Sequence, residues 1–248
     1  MRSAESGYNT GGEGKMQTDI VIATHNRLEY LKRTVTGIFE RTMEWYRLHV
    51  INDGSNGDTV DYLDEAWDDG FIHSLVHRRF PLGIARNLTM IGPMTQSAIV
   101  VYTDDDVLCP DLDPDWLVRG LEAMDAHPDV GLLGLNVPSC NLGGGDRRKK
   151  QRVDGAITRC VYLGGQFLFM RRALLDQMPN WIALDGQSPV KNMCRWANSE
   201  FLWGVAYLTD TYCWHFGTQS ARSGKDISES CYTPGDLRTL VPPQELKG

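Results

Sequence analysis

Residues 98–106 read Ala98-Ile99-Val100-Val101-Tyr102-Thr103-Asp104-Asp105-Asp106. The apolar run suits a strand buried on both faces, and it ends on three consecutive carboxylates. Like charges side by side repel, so each resists ionising next to the others. A chain keeps such a cluster behind a buried strand where a cation neutralises it. An all-oxygen donor set favours Mg²⁺ or Mn²⁺, usually shared with substrate phosphates and water. A solvated acidic turn is the competing reading, and the triplet alone does not exclude it.

The flanking sequence repeats the pattern. Asp19–Ala23, Leu48–Ile51 and Phe71–Val76 read as strands before it, and Val130–Leu135 as one after it. Between them apolar residues recur at helical spacing, as Leu28, Leu31, Val35, Ile38 and Phe39, as Val60, Leu63 and Trp67, and as Leu117, Leu121 and Met124. Strands alternating with helices predict an α/β fold with a doubly wound, mostly parallel sheet flanked by helices. The second half is less regular and predicts a smaller mixed region, with strands over 161–170, 205–209 and 211–216, a helix over 189–199 and a long loop over 141–155. Residues 18–217 read as one domain with halves 18–110 and 111–217, residues 1–17 as a disordered leader, and 218–248 as a flexible tail or lid.

In an open α/β sheet, ligands bind beyond the carboxyl ends of the strands. The first strand is followed by Thr24-His25-Asn26-Arg27 and the second by Asn52-Asp53-Gly54-Ser55. The third, after a loop, leads to Leu82-Gly83-Ile84-Ala85-Arg86-Asn87, and the fourth to the three aspartates. Four strand ends in a row deliver polar or acidic groups to one edge, which a purely structural sheet does not need.

The 248 residues carry a net charge of −7, so the overall field does not draw the chain to nucleic acid or anionic membrane. No apolar run is long enough to cross a membrane. The first residues lack the apolar stretch of a signal peptide, and six scattered cysteines form no CxxC pair. The expectation is a cytoplasmic protein with reduced thiols. Against the acidic background, Arg147-Arg148-Lys149-Lys150-Gln151-Arg152 reads either as a solvated loop or as a contact for phosphate. Trp181, Trp196, Trp203 and Trp214 gather in the second half, as core or as sugar-stacking faces.

The opening strand with Thr24-x-Asn26-Arg27, the Asn52-Asp53-Gly54-Ser55 turn, Gly83-x-Ala85-Arg86-Asn87 and the Asp-x-Asp strand end occur together in one order. In this the chain resembles the family 2 glycosyltransferases of the GT-A fold, over roughly residues 18–217. The resemblance implies a metal-dependent, inverting transfer of a sugar from a nucleotide-diphosphate sugar, expected to be a UDP-sugar, onto a hydroxyl. It implies that Thr24, Asn26, Arg27, Asp53, Gly83, Arg86, Asp104 and Asp105 surround the nucleotide sugar. Asp106 and His215 are implied as ligands of Mn²⁺ or Mg²⁺, with Asp105 an alternative ligand one position away. Asp185 is implied as the base that takes the acceptor's proton, with Glu200 second and an ordinary helix-capping aspartate as the bland alternative. Gly164-Gly165 would let an acceptor approach the backbone. Ala23 and Asn52 stand where the family often has proline and aspartate, and Asp185 lacks an adjacent acid. The acceptor, whether glycan, lipid phosphate, protein or nucleic acid, is not legible. Two other readings share the architecture: a sugar-1-phosphate nucleotidyltransferase, whose glycine-rich phosphate loop is missing after the first strand, and an inactive nucleotide- or carbohydrate-binding protein.

Overall fold

The computed structural model describes residues 17–138, 149–179, 189–200 and 203–216. In chain order, β1 (Thr18–Thr24), α1 (Leu28–Arg41), β2 (Tyr46–Asn52), α2 (Asp58–Asp68), β3 (Ser74–His77), α3 (Gly83–Met94) and β4 (Ile99–Asp104) make the first half. The second half holds β5 (Val107–Leu108), α4 (Trp116–Ala126), β6 (Val130–Asn136), β7 (Lys150–Asp154), β8 (Ile157–Cys160), β9 (Leu168–Arg171), α5 (Arg172–Leu175), α6 (Pro189–Glu200), β10 (Gly204–Tyr212) and β11 (Trp214–His215).

Nine strands form one sheet in the order β3-β2-β1-β4-β9-β6-β10-β8-β7, and β5 pairs with β11 in a small second sheet. The strands β3, β2, β1 and β4 are mutually parallel. β9 runs antiparallel between β4 and β6, β10 is parallel to β6, and β8 and β7 close that edge as an antiparallel hairpin. This is the predicted doubly wound sheet with its mixed second half.

The apolar run of β1 is continuous because both sheet faces are covered. Ile20 and Ile22 pack with Leu31, Val35 and Ile38 of α1 and with Trp116 and Leu117 of α4. Val21 points the other way, into a core with Leu88 and Ile91 of α3 and Met193 and Ala197 of α6. Each such buried side chain contributes roughly 1.5–3 kcal/mol. At the start of α4 the Asp115 carboxylate accepts the backbone N–H groups of Leu117 and Val118, which fixes where that helix begins.

Several boundaries differ from the sequence expectation. The third strand starts at Ser74, and Phe71 is exposed, edge-on against Phe39. Residues 83–94 form a full helix that the sequence masks with Gly83, Gly92 and Pro93, the last lying in the final turn. The expected loop 141–155 ends in β7, a charged edge strand that unwanted strand pairing tolerates poorly. Residues 161–167 are not strand, so Gly164 and Gly165 lie in the connection before β9. The two expected late strands are a single β10 followed by the short β11. Trp196 and Trp214 are buried, which makes them core residues. No helix among the described residues is long and apolar enough to cross a membrane. The leader and tail expected at 1–17 and 218–248 fall almost wholly outside the described residues, as do Trp181 and Arg147-Arg148.

Candidate functional site

After β3 the chain returns to the other side of β1 to form β4, so the strand order reverses between β1 and β4. That reversal splays the two following loops and opens a crevice beyond the strand ends. A cleft of about 450 Å³ lies there, lined by Thr24, His25, Arg27, Asp53, Pro81, Gly83, Ile84, Asn87, Tyr102, the three aspartates and His215. The volume suits a small ligand.

The three aspartates point in different directions. Asp105 turns toward β1, where its carboxylate accepts from Thr24 Oγ1 at 2.6 Å and from Arg27 Nη1 at 3.0 Å. Arg27 also reaches Asp106 through Nη2 at 2.5 Å. Asp104 accepts from the Tyr102 hydroxyl at 3.1 Å. The β5–β11 pair sets His215 opposite Val107, and so beside Asp106. One donor atom each from Asp104, Asp106 and His215 lies within 4.8 Å of the others. His215 Nε2 is 3.0 Å from Asp106 Oδ1, yet that oxygen is buried without a hydrogen bond. Two donor atoms close together but not aligned on each other suit a common electrophile between them. Two carboxylates and an imidazole are an acceptable Mn²⁺ set and a tolerable Mg²⁺ set, so the residues fit the implied metal.

The electrostatics match. Burial, then the charge of Asp106, pushes the Asp104 carboxyl up to about 7. Burial also raises Asp105, to about 6, against the pull of Arg27. Asp106 goes the other way. Burial would raise it, but His215 and Arg27 together hold it below the usual carboxylate range. His215 is raised in turn, since the neighbouring Asp106 outweighs its burial.

The β2 end of the cleft is organised by Asp53. Its Oδ1 accepts from Leu82 N at 2.9 Å and from Arg78 Nη1 at 3.2 Å, and its Oδ2 from Gly83 N at 2.8 Å. These bonds, with burial working against them, lower its pKa. Gly54 has φ +79°, and a Cβ there would lie 2.6 Å from Pro81 N, so this turn admits only glycine.

Of the residues expected around the nucleotide, Thr24, Arg27, Asp53, Gly83, Asp104 and Asp105 line the cleft. Asn26 does not. Its N–H donates to Ser55 Oγ and its Oδ1 accepts from Asn56 N, so it staples the loops after β1 and β2. Arg86 is exposed and outside the lining, and its carbonyl accepts from Arg78 and Thr89. Arg78 instead reaches this side of the cleft, where it binds Asp53 and Asn87. It follows β3 directly, so reading the residues behind that strand, as for the other three, finds it. His25 and Tyr102 were also passed over. Asp185 lies outside the described residues, and Glu200 is the last residue of α6.

A family model described as Glycosyl transferase family 2 matches residues 19–187. Protein CgeD of Bacillus subtilis (strain 168) is 23% identical over 120 residues, 46% of this chain and 28% of that protein. Among solved structures, the mannosyltransferase PcManGT from Pyrobaculum calidifontis in complex with GDP-Man and Mn²⁺ superposes with a TM-score of 0.62 at 16% identity, over 81% of this chain and 57% of that one. S. aureus TarS 1-349 in complex with UDP gives 0.60 at 14%, over 79% and 60%. GalNAc-T7 with UDP, GalNAc and Mn²⁺ gives 0.64 at 13%, over 82% and 44%. The chain thus spans well under two thirds of each, and at these identities the likeness concerns the fold.

Proposed function

This chain belongs to glycosyl transferase family 2, and on that footing we propose that it moves a sugar from a UDP-sugar onto a hydroxyl, with inversion at the anomeric carbon and with Mn²⁺ or Mg²⁺ as cofactor. The observation that carries the reading is the meeting of Asp104, Asp106 and His215 at one end of a cleft whose other end is built on Asp53. Structures of similar fold carry UDP or GDP-Man, and two of them Mn²⁺.

Asp104, Asp106 and His215 would hold the cation, which when bound supplies positive charge against the leaving diphosphate. Arg27 is one-third exposed and already neutralises part of the acidic cluster, so it limits the repulsion a diphosphate meets there. Asp53 bears on the choice of base. A carboxylate offers about four lone-pair positions, and three are taken by Leu82, Gly83 and Arg78. The one left, on Oδ2, suits the single N3–H of uracil better than the two adjacent donors of guanine.

In the transfer the acceptor oxygen bonds to the anomeric carbon as the bond to the diphosphate oxygen breaks, and that electron pair leaves on the diphosphate. The acceptor proton goes to a carboxylate. Asp185 is our candidate, between α5 and α6, with Glu200 second. A cytoplasmic setting agrees with Cys109 and Cys194, which are free and buried.

Calorimetry of UDP and GDP, each with Mn²⁺ and with EDTA, tests the proposal. UDP should bind best, and only with the metal. Equal UDP affinity in EDTA would remove the metal bridge. No binding of either nucleotide would remove the donor assignment.

A further inference from the structure

Away from the cleft, three cations converge on one phenol. Lys191 Nζ lies 5.0 Å from the centroid of the Tyr162 ring, Arg195 Cζ 5.7 Å and Lys149 Nζ 5.9 Å. Arg195 Nε also donates to the Tyr162 hydroxyl at 3.4 Å. The four residues come from separate places, the start of β7, the connection after β8 and the first turns of α6, so the fold assembles the group. Lys191 and Arg195 stand four residues apart on α6, a like-charge spacing that disfavours a helix. Among the described residues, neither Lys149 nor Lys191 has a carboxylate within ion-pair distance. In a chain of net charge −7, three cations brought together face a repulsion that the fold could avoid and does not. The lowered pKa of the Tyr162 phenol, caused first by Arg195 and then by the lysines, reports the same positive potential.

The position ties this group to the cleft. Tyr162 precedes Gly165 by three residues, a reach of at most about 10 Å. Gly165 lies directly on Asp104: its carbonyl accepts Asp104 N at 3.3 Å, and a Cβ there would come within 2.8 Å of Asp104 Oδ2. Three residues of chain therefore connect the cations to the Asp104 end of the cleft.

The geometry points to Lys149, Lys191, Arg195 and Tyr162 as a phosphate-binding subsite for the acceptor, joined through Gly165 to the Asp104 end of the cleft. The anion relieves the mutual repulsion of the cations and takes charge-assisted hydrogen bonds from them and from the phenol. The acceptor role rests on the proposed glycosyl transfer, whereas the anion site stands by itself. A phosphate ester reaches such a site either in a soluble phosphorylated glycan or in a lipid headgroup.

The test is calorimetry of sn-glycerol 3-phosphate with the full chain, with UDP and Mg²⁺ present at saturation so that the donor cleft is filled. Wild type should bind it. The Lys191→Gln/Arg195→Gln double variant should bind about tenfold or more weakly, since each lost charged hydrogen bond is worth that much. A control with the same loss of charge elsewhere, Lys32→Gln/Arg119→Gln, should bind as wild type does. Sedimentation with phosphatidylglycerol vesicles separates the sources. Retention that the double variant loses assigns a lipid phosphate, and no retention beside intact glycerol phosphate binding assigns a soluble one. No glycerol phosphate binding in wild type, equal binding in the double variant, or tighter binding of a single-stranded oligonucleotide would each overturn the subsite. Failure of UDP to bind appears separately, as a donor-cleft result, because UDP is titrated into the chain before glycerol phosphate is added.

Discussion

Asp19 and Asp104 stand on neighbouring parallel strands, Asp19 near the start of β1 and Asp104 at the end of β4. Asp19 is fully buried, and its carboxylate accepts from Arg47 Nε at 2.6 Å, His49 Nε2 at 3.0 Å, Gln96 N at 2.6 Å and Ser97 N at 2.9 Å. Burial works against ionisation there, yet these donors prevail and hold the carboxyl far below its ordinary value. Asp104 receives one hydroxyl and sits beside two more carboxylates, and its carboxyl is pushed up to about 7. One edge of the sheet completes its acid with the protein's own donors, and the other leaves its acids short. The difference separates a carboxylate that holds structure from one that the proposed metal would complete.

The largest expected effect concerns a third kind of carboxylate, the one proposed to take the acceptor's proton. Asparagine keeps the shape of aspartate but cannot take the acceptor's proton. Asp185→Asn should therefore lower turnover by about 10²–10⁴ with UDP affinity and melting temperature unchanged. A helix-capping role would instead cost about 1 kcal/mol of stability and leave turnover largely intact. Near-normal turnover moves the base to Glu200 or elsewhere.

Asp19→Ala should remove about 3–5 kcal/mol of stability, because Arg47 loses its counter-charge and the buried His49 loses its hydrogen-bond partner. Urea unfolding measures it, and UDP affinity of the folded fraction should not change. The pH dependence has a definite sign. The folded pKa of Asp19 is depressed, so its contribution is present above the unfolded value near 3.8 and is lost as pH falls through the folded value. The margin of wild type over an Asp19→Asn variant should be full above about pH 4 and shrink toward zero between pH 4 and strong acid. A constant difference across that range would mean that packing, not charge, holds this edge.

A smaller effect is expected from Gly165→Ala. The added Cβ meets Asp104 Oδ2 at 2.8 Å, so Asp104 must turn away. Mn²⁺ affinity should fall while the melting temperature stays within a few degrees. Unchanged affinity would remove Asp104 from the ligand set. Smallest of all, Asn26→Ala should cost about 1 kcal/mol by unpinning the loops after β1 and β2, with at most a modest loss of UDP affinity. A severe loss would return Asn26 to the nucleotide.

The first half of the fold was legible because its signals are local. The apolar run of β1 and the helical spacing of Leu31, Val35 and Ile38 each declare an element, and the switch-point rule then gathers Thr24, Asp53 and Asp104 without a structure. What stayed hidden depends on packing. Helix α3 conceals itself behind Gly83, Gly92 and Pro93. Arg78 looks like any surface arginine until the fold closes Asp53 and Asn87 around it. Asn26 has a binding residue's chemistry, but its φ of +51° and its bonds to Ser55 and Asn56 commit it to the turn. The register of the acidic triplet was also beyond the sequence. The β5–β11 pairing carries His215 to Asp106, within reach of Asp104, while Asp105 turns the other way onto Thr24 and Arg27.

The central claim is that the acids ending β4 are left short of charge so that a metal can complete them. It is tested most directly by melting wild type and Asp104→Asn at pH 8, each in EDTA and in Mn²⁺. With its folded pKa raised, Asp104 stabilises the fold only when protonated, and its charged form at pH 8 is a burden. The account predicts that Asp104→Asn melts at or above the wild-type temperature in EDTA, that Mn²⁺ raises the melting temperature of wild type, and that the variant loses most of that rise. A variant that melts several degrees lower in EDTA, or that keeps the full Mn²⁺ shift, would contradict it.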